Sequence, residues 1–150
     1  MRFATFLFLM LAGLVSMTAE ALAQSGVSTP REAAEVFIAA TDAGDAERIA
    51  ALYATDALML APGAAPIAGR DAIRAVFQRN FSLGRNAIAF STIRVDTGSD
   101  RAAVYWEWVS EIAATSGAVR RMNGRSFVYF RKESDGWVIS ADMMHVAPAQ

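Results

Sequence analysis

One histidine, fifteen carboxylates and no cysteine bound the chemistry available to this 150-residue chain. His145 is the single side chain whose unperturbed pKa, about 6.5, falls near neutrality. It is therefore the first candidate for a general acid, a general base or a simple hydrogen-bond donor. It stands five residues from the last position, and the nearest acid along the chain is Asp142. Without thiols there is no disulfide and no thiolate metal site. One imidazole with no HExxH-like spacing does not supply the ligands of a protein-only transition-metal site. No metal and no cofactor is expected.

A second place to look is the stretch "ALYATDALMLAPGAAPIAGRDAI" at residues 51–73. It reads as a helix end, a short apolar strand, a Pro-Gly turn and a helix start. A turn at a strand end is a usual seat for a catalytic carboxylate, yet residues 57–69 carry no ionisable side chain. Of the side chains expected to line a pocket few are polar: Tyr53, the indoles of Trp106 and Trp108, Ser126 and His145.

The elements that must position these residues follow from caps and periods. In "TPRE", Thr29 is an N-cap, Pro30 the first helical residue and Glu32 the third residue after the cap. Ala33, Val36, Phe37 and Ala40 then form an apolar stripe at helical spacing. "DAGD" ends this helix through Gly44 and starts a second at Asp45, with Ile49, Leu52 and Tyr53 on its inner face. A third helix opens at "GRD", with Asp71 at the positive end of the helix dipole, and buries Ile73, Val76 and Phe77. After Asn86 the period changes from 3.6 to 2. "AIAFSTIRV", "RAAVYWEWVSEIAA", "AVRRMNGRSFVYFRK" and "WVISADMMHV" are four strands joined by Gly-rich turns, and Asn123-Gly124 predicts a bulge or bend inside the third. Helices preceding a strand meander make an α+β domain. A strongly curved, mainly antiparallel sheet closed by three N-terminal helices is a cone with an apolar mouth.

The two ends and the charge limit the setting. "MRFATFLFLMLAGLVSM" has one cation and then an uncharged run, and "ALA" at residues 21–23 supplies a small-x-small site. Residues 1–23 are therefore expected to be a signal peptide cut before Gln24. The run is shorter than the ~20 residues of a spanning helix. The expected address is the bacterial periplasm or the outside of the cell, with no membrane attachment after cleavage. Residues 24–29 form a lead, 30–146 a single domain and 147–150 a tail. The net charge of −1 is unchanged when Arg2 and Glu20 are removed, and it argues against a nucleic-acid partner.

The segments "AGD", "Y-A-x-D-A" and "GRDAI", with the ending "FVYFRKESDGWVISADMM", resemble the nuclear transport factor 2-like superfamily. Within it the chain is similar to the SnoaL-like and ketosteroid isomerase-like proteins, over residues 30–146. The resemblance implies the cone-shaped α+β fold. It also implies positions for steroid-isomerase machinery: a general-base Asp at Ala61, an oxyanion-hole Tyr at Phe37 and a protonated Asp at Ser126. Ala and Phe neither hold a proton nor offer an O–H, so ketosteroid isomerase chemistry is not expected. The Arg–Asp–Asp arrangement of related epoxide hydrolases has no counterpart either.

The family's strand parity places Trp106, Trp108 and Ser110 inside the cone and Tyr105, Glu107, Val109 and Glu111 outside. On the third long strand Ser126, Val128 and Phe130 face in. On the last, Ile139, Ala141, Met143 and His145 face in, while Ser140, Asp142 and Met144 face out. A one-residue slip reverses each assignment. On this parity Asp142 pairs with an arginine such as Arg121 or Arg125. The expected ligand-binding wall is Tyr53, Met59, Trp106, Trp108, Ser126, Met143 and His145, with His145 the candidate catalytic group.

Such a wall suits a small apolar or aromatic molecule held by one or two hydrogen bonds. The sequence leaves open whether a reaction follows. The alternative is a non-catalytic homodimerisation or partner-binding module whose cone is packed shut. An outer sheet face of ion pairs broken by Tyr105, Val109, Phe127 and Tyr129 is the expected homodimer surface.

Overall fold

The computed structural model describes residues 26–147. The expected signal peptide at residues 1–23, its cut before Gln24 and the end of the tail lie outside the described residues. Among those described, no helix is long and apolar enough to cross a membrane.

The first turn of chain shows why the helices start where they do. Thr29 Oγ1 accepts the Glu32 N–H at 3.3 Å, and the Glu32 carboxylate accepts the Ser28 N–H at 2.9 Å. The box therefore closes on Ser28 rather than on Thr29, and α1 (Glu32–Ala43) starts just beyond the expected Pro30. Gly44, at φ 67°, stops α1 in the left-handed conformation that glycine adopts without strain. Asp45 then caps α2 (Ala46–Ala51) by accepting the Arg48 N–H at 2.9 Å. Tyr53 does not belong to that helix: it opens β1 (Tyr53–Leu60). β2 (Ile67–Ala68) is a short return strand, and α3 (Arg70–Ser82) follows Gly69 as expected from "GRD".

Four long strands complete the sheet: β3 (Gly84–Thr97), β4 (Arg101–Ala114), β5 (Val119–Glu133) and β6 (Gly136–Val146). Their order is β2-β1-β6-β5-β4-β3, with β1 parallel to β6 and every other pair antiparallel. The helices pack on one face of this curved sheet. Ala33, Phe37, Ala40, Ile49 and Ile73 meet Val104, Val128, Phe130 and Ile139 in one apolar cluster. With no disulfide available, that cluster carries the stability, about 1.5–3 kcal/mol for each fully buried Val, Ile or Phe.

Two local features decide what the concave face presents. The first is Gly124, where β5 runs opposite β4 in unbroken register, Trp108 facing Gly124. The expected bulge is absent from this pairing. A Cβ at position 124 would overlap the six-membered ring of Trp108, so the glycine makes room for an indole. The second is Ser140. Phe130 pairs with Ile139 and Tyr129 with Ala141, which leaves Ser140 as an extra residue on β6. Its hydroxyl donates to the Tyr129 carbonyl at 3.1 Å. Beyond this bulge the faces of β6 exchange.

Candidate functional site

The exchange at Ser140 decides the contents of the hollow. Asp142, opposite Val128, turns inward and is buried, as is Met144 in part; Met143 and His145 turn out. Three consecutive buried residues, Trp137, Val138 and Ile139, are the sequence signal of this irregularity. A strand exposed on one face alternates, and three apolar residues in a row do not. The expectation that Met143 and His145 line the pocket is therefore corrected, and so is the pairing of Asp142 with Arg121 or Arg125. Met143 is 55% exposed on the convex face. His145 lies opposite Arg125 on that same face, away from the cavity.

The cavity itself has a volume of about 150 Å³. β4 contributes Trp106, Trp108 and Ser110, β5 contributes Ser126 and Met122, and β6 contributes Asp142 and Met144. The helices close it with Phe37 and Thr41 from α1 and Phe77, Asn80 and Phe81 from α3, and β3 adds Asn86, Ile88 and Phe90. Phe37 is the hub of the ring cluster, edge-on to Phe77 at 5.6 Å and to Phe90 at 6.2 Å. Phe90 lies 4.8 Å from Trp106, centre to centre. Of the residues expected in the wall, Trp106, Trp108 and Ser126 line this cavity; Met59 is core behind it, and Tyr53 touches it through Asp142.

The polar groups are arranged around one carboxyl. The Tyr53 hydroxyl donates to Asp142 Oδ2 at 2.9 Å. Asp142 Oδ1 has no hydrogen-bond partner. Burial pushes the Asp142 pKa from an ordinary 3.8 up to about 6, although the hydroxyls of Tyr53 and Ser126 pull it down. Burial, then the charge of Asp142 and the hydrogen bond to it, raise Tyr53 well above the usual phenol range, so it stays a proton donor. Trp108 Nε1 donates to Ser126 Oγ at 3.2 Å, which leaves the serine proton for another acceptor. Asn86 spends its Nδ2 on the carbonyls of Gly84 and Asn80 at 2.8 and 3.3 Å.

The steroid-isomerase positions are filled as the sequence indicates. Ala61 follows β1 and stands outside the cavity wall, Phe37 is an apolar ring and Ser126 a hydroxyl. An acid nonetheless reaches the hollow, from a strand position that the expected parity turned away. The convex face also differs in detail. Glu107 accepts hydroxyls of Tyr105 at 2.7 Å and Thr92 at 2.9 Å, while Arg121 meets Glu111 at 3.6 Å. Arg131 clamps Asp56 of β1 at 2.6 and 3.1 Å and Glu133 at 2.7 Å. Among the described residues, no three His, Asp or Glu side chains gather where they could share a metal ion.

A SnoaL-like domain model matches residues 34–139, most of the region described. The chain belongs to the SnoaL-like family. This SnoaL-like domain has the fold of the nuclear transport factor 2-like superfamily, as its structural neighbours agree. A conserved protein from Planctomyces limnophilus is 23% identical at a TM-score of 0.73, covering 79% of this chain and 94% of that one. A protein from Novosphingobium aromaticivorans, provisionally assigned as a scytalone dehydratase, is 18% identical at 0.73, over 79% and 81% of the two chains. A nuclear transport factor 2-like superfamily protein from Salmonella enterica serovar Typhimurium is 14% identical at 0.70, over 79% and 88%. At these identities the likeness is one of fold. A comparison with curated proteins gives no match. The fold by itself assigns no activity.

Proposed function

We propose that this SnoaL-like domain binds a flat, mostly apolar molecule of one or two rings and moves a proton on it through Asp142. One observation carries the reading: a buried carboxyl, one oxygen anchored by Tyr53 and the other without a partner, belongs to a residue that lines a cavity walled by aromatic rings. A carboxyl with a pKa of about 6 is a better proton acceptor than a solvated one and still ionised for the most part at neutral pH. In the proposed step Oδ1 takes a proton from a carbon next to a ring carbonyl and returns it at another carbon, a net isomerisation that needs no co-reactant. The Ser126 hydroxyl, positioned by Trp108, turns from Asp142, whose charge it helps hold, to the carbonyl oxygen as charge builds there. Tyr53 keeps its hydrogen bond to Asp142 throughout and acts as a positioning residue. The cavity is small against the ~300–1,000 Å³ of drug-sized sites, which favours one or two rings over a steroid.

The test is proton exchange at the activated carbon of 2-tetralone in heavy water, followed by NMR. The wild-type protein is expected to accelerate it, and Asp142→Asn to lose on the order of 10²–10⁴-fold. Equal rates in the two proteins would remove the proton-transfer reading, while quenching of Trp106 and Trp108 emission by the ketone would still report binding.

Two further parts of the proposal concern setting and partner. The domain is exported, and the secreted form is expected to begin at Gln24 by mass spectrometry. It is also a homodimer through the convex sheet face. There Phe127 stands opposite both Tyr105 and Met143, and Tyr129 opposite Ala141. Phe127 is 53% exposed and Tyr129 43%, an apolar patch of the kind that self-association covers.

A further inference from the structure

Two buried side-chain polar atoms among the described residues have no hydrogen-bond partner: Asp142 Oδ1 and Thr41 Oγ1. Both residues line the same cavity. They come from opposite walls, Thr41 from α1 under the helical layer and Asp142 from β6 in the sheet. Thr41 is 7% exposed and Asp142 5%, so bulk water does not serve either group.

Each of these is costly to leave unmade. A buried hydroxyl or carboxylate oxygen without a partner gives up its hydration and gets nothing in return, a larger loss for a charge. A threonine inside a helix ordinarily recovers this by donating to the carbonyl four residues back, here that of Phe37. Thr41 makes no such bond. Its place in the apolar stripe, beside Ala33, Phe37 and Ala40, would be filled as well by valine, which has the same shape and no orphan. Buried polar groups left unpaired in an otherwise satisfied interior ask for an explanation, and two of them on residues that line one ring-walled space share one.

We infer that Thr41 and Asp142 are the two hydrogen-bonding poles of the cavity, and that its ligand is a mono- or bicyclic ring bearing two oxygen substituents, one of them a hydroxyl directed to Asp142 Oδ1. This rests on the binding reading above, not on the proton transfer, because a hydroxyl seated on Oδ1 occupies the oxygen that would take the carbon proton; it deepens the binding reading by naming the ligand class. An ionised carboxylate accepts and does not donate, so the substituent at that pole is an O–H. Thr41 both donates and accepts, so the second oxygen is a hydroxyl or a carbonyl. The ring between them meets Phe37, Phe90 and Trp106. No charged side chain faces either pole from α1, α3, β4 or β5; the titratable neighbour of Asp142 is Tyr53, held protonated on β1, and the Ser126 hydroxyl is the other polar group that acts on its carboxyl.

The experiment is calorimetric titration of the purified protein at pH 7.5 with toluene, phenol and the three dihydroxybenzenes. Phenol is expected to bind at least tenfold tighter than toluene, and at least one dihydroxybenzene tenfold tighter again. Thr41→Val should abolish the second gain and keep the first; Thr41→Ser should restore it. Asp142→Asn should shrink the first gain. A protein that binds toluene, phenol and every dihydroxybenzene alike has water seated at both poles; that result overturns the inference and leaves the apolar pocket standing. Equal dihydroxybenzene affinity in wild type and Thr41→Val also overturns it. Failure of every ring to bind overturns the binding reading itself, and the two poles with it.

Discussion

Asp142 ties the chemistry of the hollow to the stability of the fold, and the sign of that tie can be worked out. Its pKa is about 6 in the folded chain against an ordinary 3.8. Between these values the folded protein keeps a proton that the unfolded chain has released. Raising the pH through this window therefore lowers stability, by roughly 3 kcal/mol at most from a shift of about two units at ~1.4 kcal/mol each. Below pH 4 both states are protonated, and above pH 6 the loss is complete. Denaturant unfolding of the wild type is expected to show this decline from pH 4 to 6, and Asp142→Asn to lack it. Gly124 allows a second test of the same scale. Any Cβ there strikes the Trp108 ring, and the indole can yield only by leaving Ser126. Gly124→Ala should cost about 1–3 kcal/mol in overpacking, with altered Trp108 emission. A melting curve and spectrum identical to wild type would show that the indole has free room.

At the scale of the element, β6 separates what the sequence reveals from what it conceals. The stop at Gly44, the cap at Asp45, the opening of α3 after Gly69 and the alternation of β4 from Trp106 to Ser110 are local signals, and the chain obeys them; the first helix starts two residues beyond the expected Pro30. The face of Asp142 is not local. It depends on one extra residue at Ser140, whose cost is met by Tyr129 on the neighbouring strand, a contact that no spacing rule foresees. The run Trp137-Val138-Ile139 hints at it. Thr41 is equally illegible: as a polar residue on a helix it reads as surface, and only the packing of β3 and α3 around it reveals the opposite. Because two residues share one ladder position at the bulge, removing Ser140 should leave Asp142 inside, still titrating near 6 by carbon-detected NMR. Removing Met143 instead should turn Met144 out and His145 in. An Asp142 pKa at the ordinary value in the Ser140 deletion would refute this account of the register.

At the scale of the whole molecule, the sheet has one covered face and one open one. The open face mixes ion pairs with Phe127, Tyr129 and Met143, a composition between solvent and core. Phe127→Glu places a charge where a second copy would sit, beside the Met143 of its own chain. Sedimentation should change from a dimer mass to a monomer mass, with the melting transition of the isolated fold retained and Trp106 and Trp108 undisturbed on the other side. A wild-type protein that sediments as a monomer at micromolar concentration would remove the dimer proposal.

Among the described strands the one that carries Asp142 comes last in chain order, yet it lies in the interior of the sheet, hydrogen-bonded to β1 on one side and β5 on the other. A growing chain that has reached only Asp135 holds a helical arm and a three-strand meander with a gap between them. Neither half can close over its apolar side until β6 arrives and joins residues as distant as Tyr53 and Ile139. Such far-separated pairing slows folding, so the completed chain is expected to collapse as one late event rather than piecewise during synthesis. The proton-handling group and the keystone of the architecture are thus delivered together, and a polypeptide clipped before Gly136 forfeits both.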